Sequence, residues 1–213
     1  MPHRHKKNTL IIAATISLFW IIFLFWWTKG FSSFTTDSYI LKSAGNLPRA
    51  IPGLIIQNQF GQIASINQFK NRYILAAFVY LDCSKICPII MAKYFKIDQD
   101  LQSLIPEKIV LLTISFNPND TVAMLNHSWQ MYHQPRGWYM TRLTEPSLEM
   151  KNKEMQKMGA WFYQNPNGDF NHTGYLFLID SNQQLIQTFP ADESNQEIEK
   201  QIESRLKVYM TKK

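Results

Sequence analysis

Two cysteines four residues apart are the residues of this chain whose types and spacing point most directly to chemistry. Cys83 and Cys87 lie in the segment YLDCSKICPII, and they are the only cysteines among 213 residues. They follow an apolar run typical of a buried strand and precede a segment of helical spacing that opens on Pro88. We therefore expect the pair at the N-terminus of a helix, where the helix dipole lowers thiol pKa values.

The pair could be a structural disulfide, a redox dithiol or a metal site. A disulfide that closes so short a loop removes little chain entropy, so it would stabilise the fold weakly. Thiolates select Cu(I), zinc and iron–sulfur clusters, and the last two normally take four protein ligands. Two thiolates and one imidazole would complete a three-coordinate copper site. The histidines therefore decide how well a copper site fits.

The five histidines differ in their prospects as a third ligand. His3 and His5 precede an apolar segment and are expected on the cytoplasmic side of a membrane. His127 and His133 lie in or after a predicted helix and are interpreted as surface or packing residues. His172 precedes a predicted strand and could face the cysteines, although the residues alone leave a ligand and an ordinary histidine equally open. Four methionines could add thioethers, but ordinary core packing is the favoured interpretation for each: Met91, Met124, Met131 and Met140.

Length and composition limit the function classes. The chain has room for one membrane anchor and one domain of about 150–180 residues, and its hydrophobic fraction of 46% predicts a folded protein. The net charge is +6. Because no block of Lys and Arg is interleaved with aromatics, we predict no nucleic-acid partner.

The N-terminus predicts a membrane anchor. After the basic segment MPHRHKK, no charged residue occurs from Leu10 to Trp27. Eighteen helical residues reach about 27 Å, close to the thickness of the bilayer core of about 30 Å. The run ends in aromatic residues, which suits an interfacial belt better than the alternative, a cleaved signal peptide. The basic residues in front predict a single-pass protein of the bacterial inner membrane with its soluble domain in the periplasm.

The remaining chain alternates strand and helix patterns. We predict a hairpin over 54–66, strands over 72–81, 108–116, 138–143, 172–180 and 183–190, and helices over 88–105, 119–133, 145–159 and 193–210. The helix over 119–133 is expected to be capped by Asn119 or Asp120. This order predicts an α/β fold, a mixed sheet flanked by helices with an N-terminal hairpin. The predicted division is 1–28 stub and transmembrane helix, 29–50 irregular linker, and 51–213 folded domain.

Three segments together resemble the Sco/SenC family: FVYLDCSKICPIIM, LLTISFNPNDT and GDFNHTGYLFLID. The resemblance covers about 51–190 and the anchor. It implies a thioredoxin-like fold and copper, as Cu(I), Cu(II) or both, bound by Cys83, Cys87 and His172. It also implies a partner, the apo copper subunit of cytochrome c oxidase or another cuproprotein, whose dinuclear copper centre the protein helps to assemble.

Three positions depart from the usual family pattern. Lys85 stands where an acidic residue is usual, and Asn117 and Asn171 stand where aspartates are usual. All three changes remove negative charge, which should weaken Cu(II) more than Cu(I). Lys85 should also favour the thiolate form of the cysteines.

Two functional hypotheses follow. The first is a membrane-tethered copper metallochaperone, which is not an enzyme and whose binding is blocked when Cys83 and Cys87 form a disulfide. The second is a thiol–disulfide oxidoreductase with Cys83 as the nucleophile and Cys87 as the resolving thiol.

Overall fold

An eight-stranded sheet with six helices organises the described part of the chain, which in this computed structural model comprises residues 2–28, 30–31 and 35–210. The helices are α1 Pro2–Trp27, α2 Thr36–Ser43, α3 Ile86–Asp100, α4 Val122–Met131, α5 Leu148–Met158 and α6 Asn195–Met210. The strands are β1 Arg49–Ala50, β2 Ile55–Asn58, β3 Ile63–Ser65, β4 Tyr73–Val79, β5 Ile109–Ser115, β6 Trp138–Leu143, β7 Phe162–Gln164, β8 Phe170–His172, β9 Tyr175–Ile179 and β10 Gln184–Pro190.

The large sheet is mixed, as predicted. Its strand order is β1-β10-β9-β4-β5-β6-β2-β3, with β4, β5 and β6 parallel and the other neighbours antiparallel. Every residue of β4 and of β5 is buried, so both faces of the sheet centre are covered. The prediction of a thioredoxin-like mixed sheet with flanking helices and an N-terminal hairpin, β2–β3, is confirmed.

Helix α4 begins later than predicted. Its N-cap is Thr121, whose hydroxyl accepts a hydrogen bond from the backbone N–H of Met124 at 3.3 Å. Asp120 cannot cap the helix because its carboxylate is already bonded to the N–H of Leu81 and the hydroxyl of Ser115. The predicted cap at Asn119 or Asp120 was therefore wrong, and Asp120 instead ties α4 to the loop that carries the cysteines.

The predicted linker over 29–50 contains regular structure. Helix α2 opens with a capping box between Thr35 and Ser38, and β1 pairs with β10. Gly159 ends α5 in the left-handed conformation (φ 83°), and a Cβ there would lie 2.8 Å from Leu41 of α2. Within its described residues, this segment is thus partly packed on the folded domain. Residues 29 and 32–34 lie outside the described part of the chain.

A second, two-stranded sheet was not predicted. Strands β7 and β8 pair antiparallel, with Phe162 opposite His172. The predicted strand over 172–180 is therefore two elements, since β8 ends at His172 and β9 begins at Tyr175. His172 belongs to this small hairpin and not to the large sheet.

Helix α1 is long and apolar enough to cross a membrane. The segment Asn8–Trp27 has a mean hydropathy of 2.3, and none of it is buried within the structure. The length and composition of this helix agree with the predicted anchor. A signal sequence would share both properties.

Candidate metal centre

The cysteines lie where the central strand β4 gives way to helix α3. Cys83 is in the loop between them, and Cys87 is in the first turn of α3. The backbone N–H of Cys87 donates to the Sγ of Cys83 at 3.4 Å, so the first sulfur sits against the N-terminal end of the helix. Both side chains are buried and neither is in a disulfide. The sequence placed the pair at this strand-to-helix junction.

His172 reaches the same point from the β7–β8 hairpin. Its Nε2 lies 3.4 Å from the Sγ of Cys87. The two sulfurs and a ring nitrogen all lie within 4.8 Å of one another, and this group of three is the potential metal-ligand cluster found among the described residues. The structure therefore brings together the three side chains singled out in the sequence.

The ring of His172 is held in a defined orientation by the backbone. Its Nδ1 lies 2.9 Å from the carbonyl oxygen of Thr173. Because a carbonyl can only accept, Nδ1 carries a proton and Nε2 is the nitrogen that faces the thiols. A protonated Nε2 can stabilise a thiolate, and an unprotonated Nε2 offers its lone pair to a metal.

Four aromatic side chains line one side of the histidine. Ring centroids of Tyr80 and Phe116 lie 5.7 and 5.3 Å from that of His172. Phe116 stacks on Phe162 at 4.6 Å, and Phe170 packs edge-on against Tyr80 at 5.3 Å. This buried wall restricts the motion of the imidazole and excludes water from one side of the site. This wall was not predicted from the sequence, although the turn NPNG between two Phe-containing segments is a hairpin signal.

A polar network beneath His172 involves helix α2. The Asp37 carboxylate accepts hydrogen bonds from the Thr173 hydroxyl at 3.0 Å and from the Trp161 indole at 2.7 Å. Thr173 is fully buried and also exchanges hydrogen bonds with the backbone of Trp161. Since the Thr173 carbonyl orients His172, Asp37 acts on the site as a positioning residue. No sequence signal pointed to Asp37 because it lies more than a hundred residues from Trp161 and Thr173 in the chain.

Asp120 supports the other side of the site. Its carboxylate accepts from the N–H of Leu81 at 2.9 Å, from Ser115 at 2.5 Å and from the Asn117 amide at 3.2 Å. Burial raises the pKa of Asp120. Asn117, one of the three departures, is buried and donates to this carboxylate, which an ionised aspartate at the position could not do.

The other two departures lie at the surface. Lys85 is exposed and precedes α3 as its N-cap without a side-chain cap bond. Asn171 is exposed and bonds to Asn165 in the hairpin at 3.1 Å. Because side chains alternate along a strand, Asn171 faces away from the side occupied by His172.

The two thiols differ in acidity. Burial alone would raise the pKa of Cys83, but hydrogen bonds from His172 and from Cys87 outweigh it and lower the value to about 6. The backbone of Lys85 adds a smaller hydrogen bond in the same direction. Burial raises the pKa of Cys87, and so does the neighbouring Cys83. This hydrogen bond comes from the backbone, which any residue at position 85 would supply, so the effect expected from the lysine side chain is not observed.

The donor set fits copper. Two thiolate sulfurs and one imidazole nitrogen are soft and borderline donors, as Cu(I) prefers. Structural zinc sites are almost always four-coordinate, which three protein ligands do not complete. The group formed by Cys83, Cys87 and His172 could therefore hold a copper ion.

The site opens into a cleft of about 540 Å³ between α3 and α4. Its walls include both cysteines and, from α4, Met124, His127 and Met131. Met91 and Met140 are buried in the core as expected, but Met124 is 41% and Met131 66% exposed. The interpretation of these two methionines as core residues was wrong. His127 and His133 are exposed, in agreement with a surface position.

Comparison with known proteins indicates the same family as the sequence motifs. A family model described as SCO1/SenC matches residues 55–207. No curated protein matches the chain. The solved structure of a SCO1/SenC family lipoprotein from Bacillus anthracis is 20% identical, with a TM-score of 0.67 over 74% of this chain and 95% of that one. Arabidopsis thaliana ScoI with copper bound is 12% identical, with a TM-score of 0.66 over 76% and 100%.

A third solved structure is that of BsSco, in which a disulfide switch was identified. BsSco is a member of the Sco family of cytochrome c oxidase assembly proteins. It is 20% identical, with a TM-score of 0.62 over 75% of this chain and 95% of that one. The fold and the site thus define a thioredoxin-like protein with a Cys-Cys-His donor group. The chain belongs to the SCO1/SenC family, as its motifs indicated.

Proposed function

We propose that this protein is a membrane-tethered copper chaperone that binds copper through Cys83, Cys87 and His172. The observation that carries the proposal is the approach of the two sulfurs and the ring nitrogen to within 4.8 Å of one another. The copper-bound structure of Arabidopsis thaliana ScoI, a member of the same fold, supports the choice of metal. Two thiolates favour Cu(I) over Cu(II).

The copper is cargo, and an apo cuproprotein is its acceptor. We assign the dinuclear copper centre of cytochrome c oxidase as the destination, with support from the description of BsSco as one of a family of oxidase assembly proteins. The cleft gives an acceptor thiol access to the metal from one side. Oxidation of Cys83 and Cys87 to a disulfide would remove two of three donors, so the thiol redox state gates binding.

An anaerobic Cu(I) titration of the full-length chain against a competing chelator tests the copper site. We expect one tightly bound equivalent in the reduced protein. The affinity of His172→Ala should fall by at least the roughly 10- to 100-fold that loss of an outer-shell partner costs, because His172 is itself a proposed ligand. His133→Asn is the control, because His133 is exposed and Asn tolerates its positive φ. Equal affinity of His172→Ala and wild type would rule out the three-ligand site.

Delivery is tested separately by mixing the copper-loaded chain with the apo copper subunit of a cytochrome c oxidase. We expect the absorption of the dinuclear centre to appear, and to fail with Cys83→Ser. Tight copper binding without any transfer would contradict the assigned acceptor and leave the copper site standing.

The acidity of Cys83 favours one alternative, a thiol–disulfide oxidoreductase. The Cys83 thiolate would attack a partner disulfide, releasing a partner thiolate and forming a mixed disulfide. Cys87, once deprotonated, would attack the Cys83 sulfur, leaving a Cys83–Cys87 disulfide and a reduced partner. A further thiol reductant would supply two electrons for each turnover. A reduction rate no faster than that of free glutathione would count against this function.

We further propose that residues 1–28 form the cytoplasmic stub and membrane anchor, and that residues 51–213 lie in the periplasm of a bacterial inner membrane. The length and hydropathy of Asn8–Trp27 support the anchor. The described part of 29–50 forms the membrane-proximal connection, including α2. Protease added to intact spheroplasts should cleave the domain, whereas protection from protease until lysis would contradict this topology.

A further inference from the structure

Two methionines of helix α4 lie exposed beside the cysteine site. Met124 is 41% exposed and Met131 is 66% exposed, whereas Met155 and Met158 of α5 are fully buried. Packing in the core therefore does not account for the methionine at either position. Both side chains instead line the cleft that opens onto Cys83 and Cys87.

The exposed donors share one face of α4. Met124, His127 and Met131 follow one another at spacings of three and four residues, which stacks them on successive turns of the helix. All three line the cleft.

The opposite wall continues the row of sulfurs. Met91 lies four residues after Cys87 on α3, so these two residues lie on neighbouring turns, and Cys83 precedes them in the loop before the helix. Met91 also lines the cleft. One cleft is therefore lined by thiol, thioether and imidazole side chains.

The composition of the cleft selects a soft cation. Thioethers are ligands for Cu(I), and imidazole binds copper as well. Among the described residues that line the cleft, none is Asp, Glu, Lys or Arg. Hard divalent ions such as Mg²⁺ and Ca²⁺ therefore find no carboxylate there, and no fixed cation repels an incoming metal ion.

We propose that Met124, His127 and Met131 form a second, weaker Cu(I) site, from which copper passes to Cys83 and Cys87. The inference rests on the proposed copper function of the cysteine site. Thioethers carry no proton to release, so the two methionines would bind the ion without deprotonation, with the neutral imidazole of His127 as the third donor. The thiolates would then draw the ion onward as stronger donors.

An anaerobic Cu(I) titration of the full-length chain, with chelators of graded affinity, tests the proposal. We expect a tight and a weak equivalent in wild type. The double variant Met124→Leu/Met131→Leu should keep the tight equivalent and lose the weak one. Leucine preserves the apolar surface of the cleft. If the cleft only bound a partner protein, the double variant would therefore bind copper as wild type does. Met150→Leu is the matched control, because Met150 is 49% exposed on α5 and does not line the cleft.

A second variant separates this inference from the chaperone proposal. Cys83→Ser/Cys87→Ser should lose the tight equivalent and keep the weak one, and the methyl resonances of Met124 and Met131 should shift on adding Ag(I), a diamagnetic stand-in for Cu(I). A wild type with the tight equivalent alone, or a weak equivalent that survives in Met124→Leu/Met131→Leu, would overturn the methionine site. Absence of the tight equivalent would instead overturn the chaperone proposal.

Discussion

At the scale of single residues, His172 connects the acidity of the site to its capacity for a metal. With Nε2 protonated, the ring stabilises the Cys83 thiolate, and without that proton its lone pair could serve as the third donor to a metal. The carbonyl oxygen of Thr173 lies 2.9 Å from Nδ1, which makes Nε2 the nitrogen that faces the thiols. The same atom can therefore serve thiol chemistry or copper binding, which is why both hypotheses begin from one geometry.

The first prediction concerns the pKa of Cys83. A pH titration of the ultraviolet absorbance of the thiolate should show a midpoint near pH 6 in wild type. The midpoint should rise in His172→Ala, which removes the imidazole that lowers the pKa of Cys83. Lys85→Gln should stay close to wild type, because the contribution of Lys85 comes from the backbone N–H. A large rise in Lys85→Gln would show that the lysine side chain controls the thiol.

The same shift has a consequence for stability. The folded-state pKa of Cys83 lies below the ordinary thiol value of about 8.5. The thiolate therefore stabilises the fold fully above that ordinary value, and this contribution is lost as the pH falls through about 6. Cys83→Ser should flatten the dependence of unfolding free energy on pH in this window.

A second prediction concerns Asn117. Replacing it with Asp places a second carboxylate beside buried Asp120, where the present amide donates at 3.2 Å. We expect Asn117→Asp to lower the free energy of unfolding by about 1–3 kcal/mol at neutral pH. Burial and like charge both raise carboxyl pKa values, so the pair should take up a proton above the ordinary value of about 4, and the loss should already shrink there. Denaturant unfolding at several pH values measures this, and a loss that does not change with pH would argue against charge repulsion.

At the scale of elements, two small pieces of structure position the site. The β7–β8 hairpin supplies His172 together with Phe162 and Phe170 of the aromatic wall. Helix α2 supplies Asp37, whose two hydrogen bonds join this helix to Trp161 and to Thr173, the residue after His172. The segment that follows α1 is thus connected to the backbone that orients His172.

The third prediction tests this connection. Asp37→Ala leaves the Thr173 hydroxyl and the Trp161 indole without their acceptor, which should cost about 1.5–3 kcal/mol of unfolding free energy and weaken Cu(I) binding through misplacement of His172. Asp37→Asn should recover most of both losses, because its amide oxygen can still accept. Asp192→Ala is the control, since Asp192 is exposed. Loss of stability with unchanged copper affinity would make Asp37 purely structural.

At the scale of the whole molecule, the sequence predicted the large sheet and its helices well because their signals are local. The apolar runs of β4 and β5 and the helical spacing of α3 each span a single element. The hairpin strands β7 and β8 are only three residues long, too short to show a period. Helix α2 has no buried residue, so its sequence lacks an apolar stripe.

The residues of the site also differ in whether a local sequence signal predicts them. Cys83 and Cys87 were found from their spacing, since both belong to one junction. The part played by Asp37 could not be found in this way because its partners Thr173 and Trp161 are more than a hundred residues away in sequence. The exposure of Met124 and Met131 depends on how α4 packs in the folded domain, which the periodicity of α4 alone does not reveal.

A fourth prediction belongs to the molecule as a whole. Because the three donors converge only in the folded state, Cu(I) should stabilise the fold, by about 2.7 kcal/mol at a free concentration one hundred times the dissociation constant. Thermal unfolding of the reduced chain should shift upward with Cu(I) and return when a chelator is added. Cys83→Ser/Cys87→Ser should lose most of the shift, and an equal shift in that variant would place the stabilising copper elsewhere.

X-ray absorption of the full-length chain, loaded anaerobically with less than one equivalent of Cu(I), tests the central claim most directly. We expect a first shell of two sulfur donors and one nitrogen donor in wild type, and two sulfur donors without the imidazole signal in His172→Ala. A wild-type spectrum without a nitrogen donor, or one unchanged by His172→Ala, would contradict the copper site of Cys83, Cys87 and His172.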